Sequence, residues 1–121
     1  MIIVLTALAS IGISVLAQFC LKAGMASEGV RAALAQPFGP ATFLAIATNL
    51  RILGGFMLYG LGAIVWLSVL ARWEVSKAYP LVGFGFALTV LVGWMAGEQV
   101  GLARLLGVCF IGIGVFLVAR S

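Results

Sequence analysis

Three stretches of this chain run for about twenty residues each without a charged side chain, the length a helix needs to cross a bilayer core of about 30 Å, and a fourth comes close. Residues 1–21 carry no charge and end at Lys22. Residues 52–71 lie between Arg51 and Arg72, and 78–97 lie between Lys77 and Glu98. The fourth, 105–119 between Arg104 and Arg120, is shorter and reaches span length when it starts near residue 101. A lone strand in hydrocarbon would leave its backbone groups without partners, so helices are expected. The sequence predicts an all-α integral membrane protein, one four-helix domain over 1–121, with spans at about 2–22, 52–71, 78–97 and 101–119. Val15-Leu16-Ala17 looks like a signal-cleavage site. No basic residue precedes it, however, and the helical pattern continues past Gln18, so a retained first span is expected.

Composition narrows the chemistry. Seven basic and three acidic residues in 121 are too few to cover a soluble surface, which is about one-quarter charged. The acids are Glu28, Glu74 and Glu98; Asp and His are absent. That excludes a Ser-His-Asp triad, a His-based metal site and paired aspartates for magnesium, so neither an enzyme nor a cofactor is expected. The basic residues are scattered, and all but Arg31 sit at ends of apolar runs. They are read as flanks meeting lipid headgroups, with no nucleic acid as partner. Cys20 and Cys109 lie inside apolar runs and read as buried small hydrophobes.

Short loops join the second span to the third and the third to the fourth, which forces antiparallel neighbours. The first connection is longer, from Ala23 to about Leu50, with Pro37 and Pro40. Its apolar part, 41–49, is too short to span and reads as a short interfacial or re-entrant helix, with a break marked by Arg51 and the Gly54-Gly55 pair. Counting Lys and Arg gives four on one side (Lys22, Arg31, Arg51, Arg104) and three on the other (Arg72, Lys77, Arg120). A bias of one leaves fixed and dual orientation equally open.

Polar residues inside the spans are costly and so informative. Thr6, Ser10, Ser14, Gln18 and Lys22 recur every four residues, which puts neighbours on one helix face with a drift of about 40° per step. The stripe should face other helices or a cavity. For the serines, helix packing is the plainer use; Gln18 and Lys22 suit a polar substrate group, although Lys22 equally suits a headgroup. In the third span Pro80 is expected in the first turn. Tyr79 either anchors at the interface, as Trp73 does, or turns its hydroxyl inward. The fourth span has almost nothing polar, and Gly107 and Gly114, a heptad apart, form a notch suited to another helix. Four helices enclose little space for a translocation path, so a dimer through the fourth helix is expected.

In order along the chain stand Ala17-Gln18-Phe19-Cys20-Leu21-Lys22, Val75-Ser76-Lys77-Ala78-Tyr79-Pro80-Leu81, Gly97-Glu98, and Gly107, Gly112 and Gly114 followed by Val115. This pattern, over nearly the whole chain, resembles the drug/metabolite transporter superfamily in its four-helix form, which includes the small multidrug resistance proteins. The Gln-x-x-x-Lys and Ala-Tyr-Pro elements look most like the undecaprenyl-phosphate aminoarabinose flippase subunits. The resemblance implies a multi-pass protein of the bacterial inner membrane, paired with a second copy or with a paralogous subunit. One position departs from it. The small multidrug exporters carry a glutamate eight residues before the lysine, where this chain has Ser14. A hydroxyl does not exchange protons for cations, so proton-coupled antiport is not expected to carry over.

The function that the resemblance implies is transport of an amphipathic, polyprenyl-phosphate-linked sugar. Ser14, Gln18, Lys22 and Tyr79 would contact the head, and Ser10, Lys77 and Glu98 would serve the substrate or the structure. Glu98 is expected to cap the last helix or pair with Arg104. The alternatives are a small exporter of drugs or metabolites and a non-transporting accessory subunit.

Overall fold

The computed structural model describes residues 1–121 and is helical throughout, without strands. Its elements are α1 (Ile2–Met25), α2 (Glu28–Leu34), α3 (Pro40–Ala47), α4 (Leu50–Leu70), α5 (Val75–Ala78), a 3₁₀ turn (Tyr79–Val82), α6 (Gly83–Met95) and α7 (Leu102–Arg120). Helices α1, α4, α5 to α6 taken together, and α7 are long and apolar enough to cross a membrane, making this a multi-pass membrane protein.

Glycines set how closely α1 and α4 approach. A side chain on Gly24 would meet Ile52, one on Gly55 would meet Leu21 (2.8 Å), and one on Gly62 would meet the Ser14 hydroxyl (3.0 Å). These three contacts step down α4 as they step up α1, so the helices are antiparallel. Gly55 and Gly62 are a heptad apart and form the notch into which α1 fits. Helix α6 runs parallel to α1, with Gly85 against Ile11, and α7 runs back with Val115 over Gly83. Helix α4 packs along α1 and barely meets α6, leaving a lateral gap between them.

One buried apolar cluster lies toward one end of the bundle, while Ala17 and Ile52 are buried farther along α1 and α4 and Val30 is buried in α2. In that cluster Ala7, Ile11 and Val15 of α1 meet Val69, Ala78, Leu81 and Val115. The rest of the exterior is apolar and suited to lipid.

Three local expectations are corrected. The chain breaks at Thr48-Asn49, where the Asn49 side chain accepts hydrogen bonds from the amides of Arg51 and Ile52 and so caps α4. Gly54 and Gly55 lie inside α4. Pro80 is not in the first turn: the third span begins at Val75, and the proline falls where the helix is already running. Pro80 sits at the start of the 3₁₀ turn Tyr79–Val82, where its missing N–H and its ring interrupt the α-helical bonding. Cys109 is exposed on α7 and only Cys20 is partly covered, so neither is a buried hydrophobe. The long first connection holds two helices, α2 and α3, packed together through buried Val30 and Thr42.

Candidate functional site

Between α1, α4 and the third span lies a cavity of about 310 Å³, and three of the stripe residues line it: Ser10, Ser14 and Gln18. Helix α4 contributes Tyr59, Gly62 and Trp66, and the third span contributes Tyr79, Phe86 and Thr89. No charged side chain lines it. Its aromatic rings and scattered hydroxyls offer stacking faces with a few hydrogen-bonding groups, the make-up of a small-molecule site.

Hydrogen bonding separates the stripe residues. Thr6 donates to its own helix, at the Ile2 carbonyl (2.8 Å). Ser10 is 3% exposed and donates across the helix pair to the Gly62 carbonyl (2.6 Å). Both hydroxyls therefore serve packing. The Ser14 hydroxyl lies 3.0 Å from where a Cβ on Gly62 would stand, and Ser14 lines the cavity. The Gln18 amide donates to the Tyr59 hydroxyl (3.0 Å), which leaves the amide oxygen and the phenolic proton for a ligand. Tyr79 lines the cavity while 66% exposed, so it stands at the opening.

Lys22 lies one turn beyond Gln18, outside the cavity wall, and donates to Glu98 Oε1 at 2.5 Å. This corrects the expected roles of Glu98. Arg104 donates to the Gln99 carbonyl (3.0 Å), and Gly101 is the N-cap of α7 with no side-chain cap. A Schellman turn closing α6 directs Glu98 toward α1. The Gly97 amide bonds to the Trp94 carbonyl (3.1 Å) and the Glu98 amide to the Gly93 carbonyl (2.8 Å), with Gly97 at φ +97°. Glu98 then folds over Gly93, where a Cβ would strike its carboxylate.

The other named residues lie apart. Lys77 sits over the Trp73 ring (4.6 Å to its centre) at the core end, away from the cavity. Gly107 and Gly114 face open space on α7, of whose nineteen residues only Val115 is buried. Tyr59 and Trp66 escaped the sequence reading. A tyrosine hydroxyl in mid-span was the available signal for the first; nothing in the pattern marks Trp66.

No family model matches the chain, and no solved structure does. A protein of Pseudomonas savastanoi pv. phaseolicola, described as a probable 4-amino-4-deoxy-L-arabinose-phosphoundecaprenol flippase subunit, ArnE, is 45% identical over 63 residues. That match covers 51% of this chain and 55% of the relative. The corresponding protein of Serratia proteamaculans is 38% identical over 64 residues, 52% of this chain and 56% of that one. The chain thus spans about half the length of these relatives. The uncharacterised protein y4nH of Sinorhizobium fredii is 32% identical over 110 residues, 89% of this chain and 86% of the relative.

Proposed function

The chain belongs to one family with y4nH and is related over half its length to the ArnE flippase subunits, and on that premise we propose that it translocates a polyprenyl-phosphate-linked sugar across the bacterial inner membrane. The observation that carries the reading is the cavity: uncharged, aromatic-lined, and flanked by the gap between α4 and α6. A sugar head suits its hydroxyls, amide and rings, while the polyprenyl tail stays in lipid through the gap. Lys22, one turn along the stripe, is the cation within reach of the linking phosphate.

Translocation needs a second subunit, either another copy or a paralogue. Helix α7 supplies the surface, with Gly107, Gly112 and Gly114 unfilled where the same heptad spacing at Gly55 and Gly62 is filled by α1. Helices α2 and α3 would rest at the interface, with exposed Phe38 between them and Phe43 on α3 among the headgroups.

The test is flipping of a fluorescent polyprenyl-phosphate sugar in proteoliposomes. Wild type, alone or with its paralogous partner, should flip it, and Gln18→Ala and Lys22→Ala should each lose at least about tenfold in rate while the dimer persists. Equal flipping by wild type and both variants would refute the site. Cation uptake driven by a proton gradient, without lipid flipping, would assign the chain to drug export.

A further inference from the structure

The Lys22–Glu98 pair is the only side-chain hydrogen bond between residues 1–71 and 72–121; the other bonds across that boundary are those of the connecting turn itself, from the Arg72 and Trp73 amides to the Val69 carbonyl. It is also the protein's only salt bridge, and it lies at the end of the bundle opposite the apolar cluster around Ala78 and Leu81, which joins the halves. The Schellman turn at Gly97 and the absent side chain of Gly93 hold Glu98 in place, so the carboxylate is delivered to Lys22 by backbone geometry.

We infer that Glu98 is an internal competitor for the phosphate of the substrate: the incoming phosphoryl group takes Lys22 from Glu98 and thereby unfastens the two halves at this end. The inference rests on the flippase reading of the cavity and adds how binding is coupled to movement. Both partners are open to solvent, Lys22 63% and Glu98 35% exposed, so the pair is held weakly and exchanges readily. A phosphate offers the ammonium more acceptor oxygens than a carboxylate and the same sign of charge. Exchange on Lys22 leaves Glu98 free to return to water with its loop. Loss of the pair leaves α6 and α7 joined to α1 and α4 through apolar contacts alone.

The two members of the pair then have opposite effects on binding, which a structural strut would not produce. The experiment is a titration of the full-length protein in phosphatidylcholine nanodiscs with undecaprenyl phosphate, followed by tryptophan fluorescence, with inorganic phosphate as a separate arm. Glu98→Gln should bind undecaprenyl phosphate about twofold to fivefold more tightly than wild type. Lys22→Ala should bind at least about tenfold more weakly, and the double variant should match Lys22→Ala. Glu98→Asp, which keeps the charge, should fall between wild type and Glu98→Gln; it also supplies a reading if Glu98→Gln is misfolded. Binding by Glu98→Gln that equals or falls below wild type overturns the exchange but leaves the flippase reading intact. No binding of undecaprenyl phosphate by wild type removes that reading and the inference with it. Competition by inorganic phosphate at equal potency assigns the site to the free anion and overturns a lipid-coupled latch.

Discussion

Replacing Gly24 by alanine should cost more stability than its single methyl group suggests. A Cβ there would lie 2.8 Å from Asn49 Oδ1 and 2.9 Å from the Ile52 amide nitrogen, besides striking the Ile52 side chain. One of these is backbone and cannot swing aside. The other is the oxygen that caps α4 by accepting from the Arg51 and Ile52 amides. Moving Asn49 also disturbs its amide bond to the Ser27 hydroxyl (3.0 Å), which ties the end of α1 to α4. Losing the cap costs about 1 kcal/mol, and forcing the helices apart costs about 1–3 kcal/mol, together about 2–4 kcal/mol. Gly12→Ala is the control, because nothing lies within 4 Å of a Cβ there; it should not lower stability and, inside a helix, should raise it by up to about 1 kcal/mol. Unfolding in mixed micelles with increasing dodecyl sulfate, followed by far-ultraviolet circular dichroism, measures both. Indistinguishable curves for Gly24→Ala and wild type would refute the close α1–α4 contact on which the cavity's shape depends.

Two further predictions concern residues that look alike in sequence. Gly107→Leu and Gly114→Leu meet open space within the chain, so the folded monomer should be unaffected while energy transfer between labelled subunits in liposomes falls at least about tenfold; unchanged transfer would remove α7 as the dimer surface. Ser10→Ala deletes a buried hydrogen bond to Gly62 and should lower stability by about 0.5–1.5 kcal/mol with flipping retained; Ser14→Ala should do the reverse, slowing flipping with stability unchanged.

The uninterrupted apolar runs made the all-helical membrane class legible, because the bilayer leaves a chain of this composition few other solutions. The stripe of five polar residues spaced four apart marked a face of α1, and three of its members line one cavity. It did not tell packing from exposure: Ser10 and Ser14 are chemically identical, and only the distance to the Gly62 carbonyl separates them. Glycine spacing was ambiguous in the same way. Gly55–Gly62 and Gly107–Gly114 share a heptad spacing, yet one is filled by α1 and the other is open. Glu98 was illegible for a different reason. Its partner lies 76 residues away, and the turn that aims it depends on the positive φ of Gly97, which marks a helix end without saying where the next side chain points. Tyr59 and Trp66 enter the site by the rotation of α4 about its own axis, a tertiary property.

The central claim is that the head of a lipid-linked sugar occupies the space between α1, α4 and the third span. Placing a benzophenone amino acid in place of Trp66, on the cavity wall, and separately in place of Phe110, exposed on α7, tests it directly. After irradiation in membranes containing a polyprenyl-phosphate sugar labelled in its sugar, position 66 should capture the label and position 110 should not. Equal capture at both positions, or capture at 110 alone, would contradict the account.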